Sequence, residues 1–372
     1  RDLMDEIDWN DRLIGIKGTR GVGKTTFLLQ YAKEKFGTDR SCLFINMNNF
    51  YFSGHSIVDF AYEFQRRGGK VLLIDQVFKH PDWSKELRLC YDRFPNLKIV
   101  FTGSSVMRLK EENLELRDIV KSYNLRGFSF REYLNLQTGM KFRSYSLEEI
   151  LSNHEQIAKG ILSKVRPLDH FQDYMHHGFY PFFLEKRNFS ENLLKTMNMM
   201  VEVDILLIKQ IELKYLSKIK KLLYFLAVDG PKAPNVSQLA NDIQTSRATV
   251  MNYIKYLADA RLINMVYPKG EEFPKKPSKI MMHNSNLMYS IYPVKVEEQD
   301  VLDTFFVNSL WKDHKVHKGD KNVSFMVDEV MPFKICQEGA KIKNNPNVTY
   351  ALHKAEIGRG NQIPLWMFGF LY

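Results

Sequence analysis

Cysteine is scarce in this chain. Cys42, Cys90 and Cys336 are its three, and they stand far apart. An odd, scattered set does not make a disulfide framework and fits a reducing compartment. No CxxC pair offers a structural zinc site. Apolar runs of about 18 residues, the length that spans a bilayer, are also missing. The opening Arg1-Asp-Leu-Met-Asp-Glu-Ile-Asp is acidic and lacks the basic start of a secretory signal. It has no initial Met and leads almost directly into an apolar run, as in a trimmed chain. A cytoplasmic location is the expectation. No internal repeat or low-complexity tract breaks the sequence.

What is present is ordinary globular material. The 372 residues are 44% hydrophobic and 26% charged. At roughly 100–200 residues per domain, that is enough for two or three cores. The 53 Lys and Arg outnumber 43 Asp and Glu, for a net charge of +10. A positive surface attracts polyanions, but the excess is spread along the chain and marks no single patch.

Periodicity divides the chain. In residues 1–125, apolar runs alternate with helical patterns. Leu13–Lys17, Cys42–Asn46, Val71–Asp75 and Lys98–Thr102 read as strands. Helices are expected from Lys24 to about Phe36, over Ser56–Arg67 with a stop at Gly68-Gly69, and over Trp83–Phe94. Strands separated by helices imply βαβ units around a parallel sheet. Residues 126–228 are mostly helical. Residues 229–280 open on Asp229-Gly-Pro-Lys-Ala-Pro234 and read helix, turn, helix, strand, then a charged loop. Residues 281–372 mix a helix near Val301–Lys312 with short strands and end in the apolar Ile363–Tyr372.

The strongest local signal is Gly18-Thr19-Arg20-Gly21-Val22-Gly23-Lys24-Thr25, a full match to GxxxxGK[ST] between a strand and a helix. Gly18, Gly21, Val22 and Gly23 supply backbone amides to phosphates. Thr26 follows in the first helical turn, whose partial positive charge adds to them. Lys24 neutralises the outer phosphates, and the Thr25 hydroxyl suits Mg²⁺. The buried strand Val71–Asp75 ends in the acid that holds that cation through water. ATP and Mg²⁺ are therefore the expected ligands, with Thr25 and Asp75 nearest the metal. Gln76 stands where a general base often stands. An amide orients water but cannot take its proton as a carboxylate does. Slow hydrolysis is expected, whether Gln76 is natural or an engineered substitution. The strand from Lys98 ends in Thr102-Gly103-Ser104-Ser105, where Thr102 or Ser104 either senses the terminal phosphate or simply caps the next turn. Lys24, Asp75, Gln76 and Ser104 are the candidate catalytic residues.

These residues resemble bacterial and archaeal AAA-type ATPases. The resemblance is carried by Gly18–Thr26, by Leu73-Ile-Asp75-Gln76 with Pro81-Asp82-Trp83-Ser84, and by Phe101-Thr-Gly-Ser-Ser105. Leu125-Arg126-Gly127-Phe128-Ser129-Phe130-Arg131-Glu132-Tyr133-Leu134 and the closing Ile363–Tyr372 extend it, particularly toward Bacteroidetes members. It implies an α/β fold: a P-loop ATPase core (1–125), a helical lid (126–228), a winged helix (229–280) and a small nuclease-like α/β domain (281–372). The chain departs from the family at Gln76, where Glu is usual, and in Asp328…Phe333-Lys334-Ile335-Cys336-Gln337-Glu338, where Glu and Lys stand exchanged. Lys334 opposes a metal's charge, so nuclease activity is not expected. Arg126 fits either an arginine finger or a lid salt bridge. Arg20 is placed to reach nucleotide or a partner, without a firm assignment.

The helix pair Ser237–Ser246 and Arg247–Leu257 has helix-turn-helix spacing. From Val236 to Ala260, Arg247 and Lys255 are balanced by Asp242 and Asp259. DNA binding needs an excess of phosphate contacts, so a packing role is the preferred reading. The histidines suggest no metal site: His176-His177 reads as a packed turn, and His314-x-x-His317 lacks carboxylate or cysteine support. The expected function is a Mg·ATP-driven conformational switch with a protein partner or a homo-oligomer. ATP-controlled DNA binding and a non-hydrolysing scaffold are the alternatives.

Overall fold

The computed structural model describes all residues except Arg108, Lys110, Glu112, Lys186, Lys343 and Asn344. The chain forms two compact units. One comprises Arg1–Arg126 with Glu202–Ile211, the other Gly127–Val201 with Glu212–Tyr372. Residues 202–211 lie inside the span expected as the lid, yet they cluster with the first unit.

The first unit is built on five parallel strands: β1 (Leu13–Gly18), β2 (Cys42–Asn46), β3 (Val71–Asp75), β4 (Lys98–Ser104) and β5 (Lys121–Asn124). Their order is β2-β3-β4-β1-β5. β3 is buried along its whole length, as its unbroken apolar run requires in a sheet covered on both faces. β5 reads Lys-Ser-Tyr-Asn and carries no apolar signal, and it pairs at the edge beside β1.

The helices follow from local chemistry. Ile57–Arg66 starts at Ser56, whose side chain accepts from the Asp59 amide. It buries Ile57, Val58 and Ala61 on one face. It stops where Gly68 takes φ +89°, a conformation that costs glycine little. Trp83–Arg93 turns Leu87 and Cys90 inward. These faces meet Leu72, Ile74 and Phe101 in one apolar core.

In the second unit, Phe130–Thr138 and Leu147–Leu162 each open on a reciprocal capping box, Ser129 with Glu132 and Ser146 with Glu149. His176 and His177 are the last residues of a helix, Leu168–His177, rather than a separate turn. The helices Val236–Asp242 and Arg247–Asp259 are joined through Gln244 at φ 52°. They are followed by the antiparallel pair β6 (Ile263–Val266) and β7 (Lys279–Met282). β6 begins two residues after Arg261, which takes φ 62°.

A mixed sheet closes this unit. Its strands are β8 (Val316–Lys318), β9 (Phe325–Val327), β10 (Met331–Cys336), β11 (Thr349–Leu352) and β12 (Gln362–Pro364). β8, β9 and β10 are antiparallel, and β10, β11 and β12 are parallel. The buried helix Glu298–Leu310 packs on it. Phe306 lies among Phe325, Phe333 and Phe368, with ring centroids 5.9, 5.1 and 5.0 Å away. The apolar tail ends as a buried 3₁₀ turn, Leu365–Phe370, and Trp366 Nε1 donates to the Ala355 carbonyl at 3.1 Å. Phe306→Ala should lower stability by about 3–5 kcal/mol, read as a shift in the urea midpoint by tryptophan fluorescence.

Candidate nucleotide site

Four strand ends converge because the register demands it. Gly18 of β1 lies opposite Ser104 of β4, and Asn46 of β2 lies opposite Asp75 of β3. Polar residues cut off at the carboxyl edge of the sheet therefore meet one another.

The loop between β1 and the helix Lys24–Lys35 has Gly21 at φ 86° and Gly23 at φ 93°. Both values lie in the left-handed region that favours glycine. Gly18 is also required sterically, since a Cβ there would lie 2.3 Å from the Leu125 carbonyl oxygen. Val22 is buried and anchors the loop. Among the described residues, the Gly21, Val22 and Gly23 amides donate to no backbone carbonyl. The first helical amides, at Lys24, Thr25 and Thr26, lack intrahelical acceptors by geometry. Lys24 Nζ donates to the Gly18 and Thr19 carbonyls at 2.8 and 2.9 Å. Desolvation pushes its ammonium down to about 8, against the pull of Asp204, and Arg20 lowers it further while Asp75 raises it. A row of free amides with an ammonium beside it fits an oxyanion chain.

Asp75 is 1% exposed. Its Oδ2 accepts from Thr25 Oγ1 at 2.8 Å and Asn46 Nδ2 at 2.9 Å, and its Oδ1 from Thr102 Oγ1 at 2.6 Å. Thr102 thus fixes the acid, and its hydroxyl also accepts the Gln76 amide at 2.8 Å. Among the described residues, no group of three His, Cys, Asp or Glu could hold a metal. A magnesium ion carried by phosphates needs fewer protein ligands, and the adjacent Thr25 hydroxyl and Asp75 carboxylate fit that smaller set. Gln76 takes φ 56°, ψ 46°, and its Oε1 is buried with no hydrogen-bond partner. Left-handed backbone at a residue with a Cβ costs roughly 1–2 kcal/mol.

Ser104 meets a residue the sequence did not single out. Its Oγ donates to Asp204 Oδ2 at 3.2 Å, and Arg20 Nη2 donates to Asp204 Oδ1 at 2.6 Å. Asp204 comes from a π-helical turn, Met200–Ile205, and is 3% exposed. The signal was an acid alone in the run Val203-Asp-Ile-Leu-Leu207. Lys79 was also missed. Burial lowers its ammonium first, Arg20 adds to that, and Asp204 opposes it.

In the second unit, His314 does have carboxylate support, since its Nδ1 lies 2.6 Å from Asp328 Oδ2. Burial raises the Asp328 acid, but hydrogen bonds from His314 and the Lys315 amide outweigh it and leave the acid lowered. Glu338 is held by Lys354 at 2.7 Å. Lys255 is paired with Asp259 at 2.7 Å, which withdraws one of the two cations of the helix-turn-helix segment.

Residues 10–134 match the family model described as AAA domain, and residues 168–295 match a domain of unknown function (DUF8612). The segment 10–134 is similar to AAA domains. That likeness, with the loop at Gly18–Thr26, supports a P-loop ATPase of AAA type. The chain is 29% identical over 288 residues to "Uncharacterized protein MJ1637" of Methanocaldococcus jannaschii, across 73% of this chain. It spans 60% of that relative's length. Among solved structures, the Aeropyrum pernix ORC1 protein in complex with DNA aligns with a TM-score of 0.33 and 10% identity, over 76% of this chain and 87% of that one. AMPPCP-bound DnaA from Aquifex aeolicus aligns with a TM-score of 0.28 and 13% identity, over 69% and 86%. At those scores neither alignment speaks to function. No described helix is long and apolar enough to cross a membrane.

Thr102→Val should leave Asp75 Oδ1 and the Gln76 amide buried without their shared partner. The expected cost is about 1–3 kcal/mol per orphaned group, measured by chemical denaturation.

Proposed function

We propose that the chain binds Mg·ATP at Gly18–Thr26 and Asp75, hydrolyses it slowly, and works as a nucleotide-dependent conformational switch. The observation that carries this reading is the row of unengaged loop amides beside Lys24. In this reading Gly18, Gly21, Val22, Gly23 and Thr26 shape and supply the phosphate cradle. Lys24 neutralises the outer phosphates, and Thr25 and Asp75 hold the cation. Bound magnesium would supply charge neutralisation between the phosphates. Ser104 faces the terminal phosphate. Gln76, with its unpartnered Oε1, orients a water by hydrogen bonding and leaves its proton without a strong acceptor.

The helix pair 236–259 with the β6–β7 pair is read as a winged helix used for packing, since Lys255 is already neutralised. The C-terminal sheet is read as a nuclease-like fold without nuclease chemistry, because Asp328 is engaged by His314 and Glu338 by Lys354. A protein partner or a second copy of the chain is the proposed recipient of the switch, in the cytoplasm.

Phosphate release tests the catalytic part. Gln76→Glu should raise turnover by about 10²-fold, the lower range for general-base catalysis, while Lys24→Ala should abolish nucleotide binding. Equal rates for Gln76→Glu and the parent chain would reject Gln76 as the brake.

Acidity gives a second test. Free Lys24 loses its proton near 8, and a bound phosphate favours the protonated form. Affinity should therefore be greatest below pH 8 and fall as pH rises through it, by up to about tenfold per pH unit. Titration calorimetry at pH 8.5 in two buffers of different ionisation enthalpy should show proton uptake on binding.

A further inference from the structure

Asp204 is a buried carboxylate that the proposed hydrolysis does not use. Its surroundings are cationic: Arg20 at 2.6 Å, with Lys24 and Lys79 near enough to feel its charge. Ser104 adds a neutral donor at 3.2 Å. Both carboxylate oxygens are thus occupied by donors. Arg20 Nε is buried with no partner, so the guanidinium is only partly satisfied by this one acid. Arg20 lies inside the phosphate loop, and Ser104 lies opposite Gly18 in the register. An anion from the chain itself therefore sits among the groups a terminal phosphate would need.

We propose that Asp204 is the residue that sets this site's preference between nucleoside diphosphate and nucleoside triphosphate. Its carboxylate competes with a terminal phosphate for Arg20 and Ser104. A diphosphate leaves this contact intact. A triphosphate must displace it, and two anions cannot share the same donors without repulsion. The proposal rests on the reading that nucleotide binds at Gly18–Thr26. It also names the element that responds, the segment 202–211. Ile208 of that segment packs against the apolar core of the first unit.

The test uses the full chain with fluorescent methylanthraniloyl derivatives of ADP and ATP, titrated in EDTA so that neither hydrolysis nor a metal contributes. Asp204→Asn removes the charge and keeps the shape. It should tighten ATP relative to ADP by about tenfold, within the usual range of coupling between sites. Asp204→Glu should keep the parent ratio. An unchanged ratio in Asp204→Asn, or a selective loss of ATP affinity, would overturn the proposal. A purely structural role would lower the melting temperature and move both affinities together, which also overturns it. If the parent chain binds neither nucleotide even when magnesium replaces the EDTA, the site reading itself falls; if it binds both and the ratio does not move, only this proposal does. Hydrogen exchange on the unsubstituted chain needs no variant to fold. Amides of 202–211 should exchange faster with ATP than with ADP, and equal rates count against the idea.

Discussion

Asp75 accepts hydrogen bonds from Thr25 on a helix, Asn46 on β2 and Thr102 on β4. A carboxylate at 1% exposure needs such partners, because isolated charge in a dry interior is costly. The three donors come from three elements that are distant in sequence. Their meeting fixes how far β2, β3 and β4 extend and where the helix after Gly23 begins. Through Thr102 the same network reaches the Gln76 amide and holds that residue in its left-handed conformation. The glycine loop is thus seated on an acid with both oxygens hydrogen-bonded.

Much of this half was legible in the sequence. β2 and β3 have the expected bounds, and β4 runs two residues further than expected, to Ser104. β3 and β4, buried along nearly their whole length, read as plain apolar runs, and glycine marks the loop. β5 was not legible, because Lys121-Ser-Tyr-Asn124 has neither alternation nor an apolar run, and it is a strand only through pairing with β1. Asp204 was hidden for another reason. Helical periodicity reports which face is apolar but not which distant strand end an acid will meet. The pairing of Ser104 with a residue a hundred positions away belongs to tertiary structure alone.

The second unit shows the same division. Its two capping boxes are sequence patterns with a local cause. The cluster around Phe306 draws on Phe325, Phe333 and Phe368, and no local rule predicts it. The link between His314 and Asp328 is likewise long-range, and it gives the histidine a carboxylate partner.

The connectivity has a practical consequence. The chain passes from one unit to the other after Arg126, returns at Glu202, and leaves again after Ile211. The first unit is therefore not a contiguous stretch of gene. Truncation after Arg126 would keep the whole phosphate loop and all five strands but discard the acid that faces Arg20. Such a fragment would present an unbalanced guanidinium to any passing anion, and its affinities would describe a different molecule. Recombination between relatives meets the same obstacle: a crossover that separates 1–126 from 202–211 splits one folding unit between two parents.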